Sequence, residues 1–342
     1  ETAVVEIAKR VAADGGHVDV FGDPGQWAGL HDCVGYWEYR RLPPNTRCDV
    51  LVSWRQPGAH VLPVEAACRI LWCHDHNNGP DAGPAMAKWD KVLGVSAYHR
   101  DFLAKAYGLS NVDYVRNGID LKRFDPTIKK IPFRCVYASS PDRGLMALLK
   151  MWPNLIGKEK SAELHVCYGF DSMDPWINAG NYGLATFKAA CLDLMGRTKG
   201  VVNRGRLPQD ELAKLYSESV AVLYPSDFLE TSCISMMEAM AGGCVPVCSS
   251  AGALKETVGD GGIIVWGPNG TRSNPYSPAW RDFFVHTARA VLFERNVRLI
   301  AEAKARERAK IFTWDASYLQ WRWLVDRLLE PAATTSMLEA AG

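Results

Sequence analysis

Residues 221–238 read AVLYPSDFLETSCISMME, and no other stretch limits the possible fold as tightly. An apolar run ends in Pro225 and Ser226. Glu230 and Glu238 then follow eight apart, across a loop that opens into a helix, and after them come AMAGG and the β-branched VPVCSS. Strand, loop, helix and strand in this order make a unit of parallel α/β type. In such a unit the loop after the strand and the start of the helix form an anion site, because unpaired backbone N–H groups and the positive helix end both face outward there. Two carboxylates beside a phosphate would repel it. They read instead as holders of hydroxyl groups on something attached to the phosphate, and a sugar nucleotide fits that description.

The same alternation runs through the chain. Strand candidates in the first part are HVDVFG, CVGYWEY, CDVLVSW, RILWCHD, KVLGVS and VDYVRNG; in the second they are FRCVYASS, ELHVCYG, VVNRG, VAVLYPSD, VPVCSS and GGIIVWG, with amphipathic segments between them. Both halves therefore read as open parallel sheets. The 342 residues exceed a usual single core of about 100–200 residues, so two domains are expected. LKRFDPTIKKIP interrupts the apolar pattern with charges and prolines, which puts the predicted boundary between residues 1–128 and 129–313. Hydrophobic content of 48% and 23% charged residues describe a globular chain, and a net charge of +1 gives no support to nucleic-acid binding. No apolar stretch approaches the roughly 18 residues of a membrane span. The ten cysteines include no C-x-x-C pair and several lie in strand runs, which reads as reduced core thiols in a cytoplasmic protein.

The E-x7-E spacing followed by EAMAGG and VPV resembles the retaining GT-B glycosyltransferases, in particular family 4, the glycosyl transferases of group 1. The resemblance implies two Rossmann-like domains facing a cleft, with Glu230 on the donor sugar and Glu238 on the nucleotide ribose. RNGID at residues 116–120 is similar to the segment that ends the family's first domain. YASSPDRGLMALL resembles the first strand and helix of its second domain, in which Arg143 and Gly144 match a basic residue and glycine that reach the donor diphosphate. The chain departs from that pattern at Ala138, where the family often carries a second arginine. GRLPQDELAKLY resembles the segment whose backbone, here near Arg206 and Leu207, contacts the base. SSAGALKETVGDGGIIV matches the closing strand, helix and strand, with Glu256, Gly261 and Gly262 in their usual places. The resemblance also implies that a C-terminal helix, residues 314–330, packs back on the first domain.

LWCHDH places His74, Asp75 and His76 at the carboxyl end of a strand, where open α/β sheets hold their ligands. His74 matches a family histidine that faces the donor sugar; a strand-end histidine bonded to a backbone carbonyl has the same sequence signature. His74 and His76 alternate sides of a continued strand, so they do not converge on a metal ion. Trp54 and Arg55 follow the strand CDVLVS, and with Asp75 and His76 they are the candidate acceptor side. Five cations between residues 122 and 134 read as a solvated linker, with contact to an anionic membrane surface as the alternative.

Breaking a glycosidic bond to a nucleotide builds negative charge on the leaving diphosphate, so rate comes from holding that charge. Arg143 and the N–H groups around Thr231, Ser232 and Cys233 are the candidates for that task, and Glu230 for orienting the sugar. The resemblance implies a UDP- or GDP-sugar donor, retention of configuration, no metal and no cofactor. The acceptor would be a saccharide, a lipid-linked molecule or another hydroxyl compound. A sugar-nucleotide epimerase, a phosphorylase or a catalytically degenerate nucleotide-sugar-binding protein on the same fold remain as alternatives. Finally, ETAVVEIAKRVAADGG carries Val4, Ile7, Ala8 and Val11 on one helical face and resembles the family's first helix, which a strand and a glycine-rich loop normally precede. Neither is present ahead of Glu1, so the expectation is a chain short of its central first strand, with weak or no transfer as it stands.

Overall fold

The apolar strand runs and amphipathic segments assemble into two α/β units. The computed structural model describes residues 2–79 and 81–330. One unit runs to Gly118 and resumes at Thr313; the other is Ile119–Phe312.

In the first unit a helix α1 (Thr2–Ala13) precedes strands β1 (Val18–Gly22), β2 (Gly29–His31), β3 (Val34–Glu38), β4 (Thr46–Trp54) and β5 (Val64–Trp72). There follow α2 (Ala82–Met86), β6 (Lys91–Gly94), α3 (Ala97–Tyr107) and β7 (Val112–Tyr114). α1 buries Ile7 and Ala8 of the face its sequence period predicts and leaves Val4 and Val11 half-buried, while Ala3, outside that set, is buried as well. α3 begins where the Ser96 side chain accepts from the His99 N–H and ends at Gly108 in the left-handed region, φ 65°.

A single open parallel sheet does not form here. β4, β5, β6 and β7 make one parallel sheet, whereas β1, β3 and β2 make another in the order β1-β3-β2. HVDVFG pairs with β3 and not with the four-stranded sheet. β2 runs antiparallel to β3 through a two-residue turn, Asp32 and Cys33, with φ of 50° and 61°. Such a tight hairpin turn needs positive φ at both positions, and Asp-Cys is not a pair that announces it in sequence.

The second unit holds β8 (Arg134–Ala138), α4 (Leu145–Ile156), β9 (Glu163–Cys167), α5 (Asp174–Asn178), α6 (Tyr182–Arg197), β10 (Val201–Gly205) and α7 (Gln209–Glu218). It continues with β11 (Ala221–Tyr224), α8 (Ile234–Ala241), β12 (Val245–Ser249), α9 (Leu254–Val258), β13 (Ile263–Val265), α10 (Pro278–Phe293) and α11 (Arg295–Ala309). Its six strands are all parallel, in the order β10-β9-β8-β11-β12-β13. β11 and β12 are buried along their whole length, because helices cover both faces, and this is why they read as unbroken apolar runs. The chain leaves β8 toward β9 and leaves β11 toward β12, in opposite directions. The carboxyl ends of β8 and β11 are therefore the topological switch point, where loops diverge and a ligand crevice opens.

The boundary falls ten residues earlier than residue 128. Ile119 and Phe124 are buried in the core of the second unit, so the segment that reads as a linker belongs to it. The basic stretch is correspondingly pinned: Lys130 Nζ donates to the carbonyls of Tyr216 (3.1 Å) and Gly242 (2.8 Å), and Arg134 bridges Glu163 and Glu218 at 2.8 and 2.9 Å.

Last comes α12 (Trp314–Leu329), started by Thr313, whose side chain accepts from the Ala316 N–H. It packs on α1 and β5, with the Trp321 ring 5.4 Å from that of Trp72, and Arg10 of α1 holds Asp315 at 2.8 Å. Removing the Trp321 side chain leaves a cavity against Trp72 in a core too rigid to collapse into it. Trp321→Ala is expected to cost about 3–5 kcal/mol. Hydrogen exchange should report the loss as faster exchange in α1 and β5, with the second unit unchanged.

Candidate functional site

Three loops at the switch point build one cavity of about 200 Å³, lined by Ser139, Ser140, Arg143, Tyr168, Glu230 and the first residues of α8. From β8 the chain passes Ser139 and Ser140 into a turn that ends at Arg143 and Gly144, the N-cap of α4. Gly144 has φ 97°, and a Cβ there would collide with the carbonyl of Pro225. Only glycine lets the start of α4 lie against the loop that leaves β11. That packing need accounts for Gly144 without any contact to a ligand.

Glu230 sits in the loop between β11 and α8 and is 4% exposed. Its backbone is clamped by Gly252, which has φ 61° and lies so close that any side chain there would strike the Glu230 main chain. The Ala253 N–H donates to the Glu230 carbonyl at 2.8 Å. The carboxylate accepts from the Tyr224 hydroxyl at 2.5 Å and from Arg143 Nη1 at 3.1 Å. Burial pushes the Glu230 carboxyl above its ordinary range, while Arg143 and the Tyr224 hydroxyl pull it back. Burial also raises the Tyr224 phenol well above its ordinary value, which keeps it a hydroxyl and a donor. The Arg143 guanidinium lies 3.9 Å from the centre of the Phe228 ring, a cation–π contact on its other side.

A cation at a helix start opposes the helix dipole. In sequence that conflict argues for a bound anion at Arg143; in the structure Glu230 already supplies the countercharge. The Ser232 hydroxyl and Arg143 Nε are buried without a hydrogen-bond partner among the described residues. Ser232, Cys233, Ile234 and Ser235 form the adjoining wall at the head of α8, where the Met236 and Met237 N–H groups donate to the Cys233 carbonyl at 3.1 and 3.3 Å. Thr231 belongs to the same loop. The Ser232 hydroxyl and Arg143 Nε are thus donors without acceptors among the described residues, beside the cavity at the head of α8. Such a constellation suits a group with several negative oxygens.

Glu238 stands apart from this cavity, within α8 and half-buried, with Arg123 as its counteracting charge. Arg206 is exposed and Leu207 half-buried after β10, also outside that lining. Ala138, at the end of β8, is 7% exposed.

The remaining sequence candidates gather in the first unit, at the carboxyl ends of β4 and β5. Arg55, with φ 62°, stacks on Trp54 at 4.6 Å and pairs with Asp75 at 3.2 Å. The His74 ring lies 5.7 Å from Trp54 and 5.1 Å from Trp72. Burial lowers the His74 pKa to about 3, so the ring is neutral at physiological pH. His76 faces elsewhere, 4.2 Å from Phe102 and 5.5 Å from His99, so its place on the acceptor side is not supported by this packing. No group of three or more His, Cys, Asp or Glu among the described residues is placed to hold a metal ion. All ten cysteines are free and most are buried. No helix among the described residues is long and apolar enough to cross a membrane.

Sequence reasoning missed Tyr224, Phe228, Ser139 and Tyr168. Tyr224 reads as one more apolar strand residue, and only the burial of Glu230 beside it shows what the hydroxyl does.

Residues 133–273 match the family described as Glycosyl transferases group 1. The matched stretch lies within the second unit. O-antigen chain mannosyltransferase B of Escherichia coli is 32% identical over 111 residues, which cover 32% of this chain and 26% of that protein. The chain thus spans about a quarter of the length of the curated relative it matches. Among solved structures, a glycosyltransferase from Rickettsia africae ESF-5 superposes with a TM-score of 0.71 at 13% identity, over 97% of this chain and 95% of that one. Sucrose-phosphate synthase from Thermosynechococcus elongatus gives 0.72 at 16% identity over 95% and 92%. HepE from Anabaena, solved with UDP and glucose, gives 0.65 at 14% over 95% and 95%. The fold is GT-B, with two Rossmann-like units.

Within the matched stretch Glu238 titrates in an accessible range. Burial pushes its carboxyl up to about 7 from an ordinary 4.5. Between those values the folded state binds more protons than the unfolded chain, so this group's contribution to stability falls as pH rises and is fully lost above about 7. The swing is roughly 3 kcal/mol. Buried His74 and His99, with pKa lowered to about 3 and about 4, work in the opposite direction. The difference between wild type and Glu238→Gln isolates the glutamate: the variant should gain relative stability between pH 5 and 8, read from urea midpoints. A constant difference across that range would contradict the assignment.

Proposed function

We propose that this chain is a family 4 glycosyltransferase that moves a sugar from a UDP- or GDP-sugar to a hydroxyl acceptor, with retention of configuration and without a metal ion. The observation that carries the reading is the Arg143–Glu230 pair at the mouth of α8, a cation and a buried carboxylate side by side at the switch point of a group 1 glycosyl transferase domain. HepE solved with UDP and glucose, and a pneumococcal O-GlcNAc transferase solved with UDP and GlcNAc, share the fold at 14% and 16% identity and support the donor class.

The donor diphosphate takes the place at Arg143, the Ser232 hydroxyl and the N–H groups that open α8. As the glycosidic bond breaks, the leaving phosphate gains charge, and these donors hold it without reorganising. Glu230 then turns to the sugar hydroxyls, held by Tyr224, and orients the anomeric carbon toward the acceptor. Glu238 serves the ribose, and the backbone at Arg206 and Leu207 the base. His74 faces the donor sugar as a neutral ring; Trp54, Arg55 and Asp75 take the acceptor, a saccharide or lipid-linked hydroxyl compound. A cytoplasmic location, at or near a membrane surface, goes with a lipid-linked acceptor. The group 1 domain weighs against an epimerase or a phosphorylase.

Purified protein given UDP- and GDP-sugars should consume donor only when a hydroxyl acceptor is present, and EDTA should leave the rate unchanged. Binding without turnover under any acceptor would point to the degenerate form. Because Glu230 pairs with Arg143, a diphosphate must displace it. Glu230→Gln is therefore expected to abolish transfer while tightening free UDP or GDP about fivefold, close to 1 kcal/mol. Calorimetric titration of both proteins checks this, and weaker nucleotide binding by the variant would count against the exchange.

A further inference from the structure

The turn after β9 carries a bulky residue in a conformation that a glycine would adopt at no cost. Tyr168 has φ 92°, beyond the small left-handed well near +57°, and Gly169 follows at φ 77°. The main chain is tied down: the Tyr168 N–H donates to the Gly205 carbonyl at 2.9 Å, joining the turn to the end of β10. On that side Gly169 lies beside Arg206, where a Cβ would make an ordinary contact 3.6 Å from its backbone nitrogen. The side chain gains nothing from the protein in return. Its ring is 48% exposed, its hydroxyl has no protein partner among the described residues, and it lines the cavity shared by Ser139, Arg143 and Glu230. A strained residue that the surrounding backbone enforces, with its side chain offered to a cavity, marks a contact made to a ligand.

We propose that Tyr168 is a specificity-determining residue of the donor site, a flat platform on which the planar base of the nucleoside diphosphate stacks. The inference rests on the nucleotide-sugar reading above. Tyr168 stands between the diphosphate donors at Arg143 and the β10 segment at Arg206. A ligand whose phosphates lie on Arg143 and whose far end reaches that segment passes over its ring. A neutral aromatic face suits a base and offers nothing to a bare phosphate.

The test compares wild type, Tyr168→Gly and Tyr168→Phe by thermal melting and by titration with UDP, GDP and inorganic diphosphate. Tyr168→Gly should raise Tm by about 2–4 °C as the strain is released. It should weaken UDP or GDP about tenfold and leave inorganic diphosphate unchanged. Tyr168→Phe should bind as wild type does, since the hydroxyl is not needed for stacking. Unchanged nucleotide affinity in the glycine variant, a lowered Tm, or an equal loss for inorganic diphosphate overturns the proposal. A wild-type protein that binds no nucleoside diphosphate overturns the nucleotide reading and this inference together, whereas normal binding by both wild type and Tyr168→Gly overturns this inference alone.

Discussion

A carboxylate buried as deeply as Glu230 is tolerated only when every lone pair facing the protein is answered, because an ion taken out of water loses several kcal/mol of solvation. Tyr224 and Arg143 give that answer, and the rest of the site follows from it. For Arg143 to reach Glu230, the start of α4 must lie against the Pro225 carbonyl, which demands glycine at 144. For Glu230 to stay put, its main chain must be gripped by Gly252 and by the Ala253 N–H. The Ser249 hydroxyl holds the Ser226 carbonyl, and Arg272 holds that of Asp227, so the loop between β11 and α8 is anchored from β12 and beyond. A single buried charge thus fixes the relative positions of β8, β11 and the head of α8.

The same pairing sets how the site meets a charged ligand. Arg143 lies between Glu230 and the Phe228 ring, its charge neutralised on one side and shielded on the other. A polyanion entering the cavity exchanges one partner of Arg143 for another and releases the Glu230 carboxylate to bind hydroxyl groups nearby. Binding of the charged part and orientation of the uncharged part are in this way coupled through one guanidinium. The orphaned Ser232 hydroxyl adds a donor that carries no such internal competitor.

Period and punctuation made most of the architecture legible. The runs around β8 to β13 are short, apolar and bounded by Pro, Gly or Ser, so their strand character and the alternation with helices could be read residue by residue. The hairpin from β2 to β3 escaped because its turn residues, Asp32 and Cys33, adopt positive φ without the usual Asn or Gly. The boundary at 118 escaped too, since Ile119 and Phe124 look like isolated apolar residues in a charged linker until the core they enter is present.

Local chemistry in the sequence determined that this chain forms parallel α/β units, where the strand ends lie, and that Glu230, Arg143 and the start of α8 carry groups suited to an anionic, hydroxylated ligand. Those properties follow from residue type and spacing within one unit of structure. Only the tertiary fold decided that Arg143 and Glu230, 87 positions apart, meet as an ion pair. It also decided that Glu238 and Arg206 stand outside that cavity, that His76 turns to an aromatic cluster away from His74, and that Tyr168 is held in a left-handed turn with its ring in the opening. The physical reason is one of range: propensity and periodicity act over a few residues, whereas burial, countercharge and strain are set by neighbours that only the packed chain brings together.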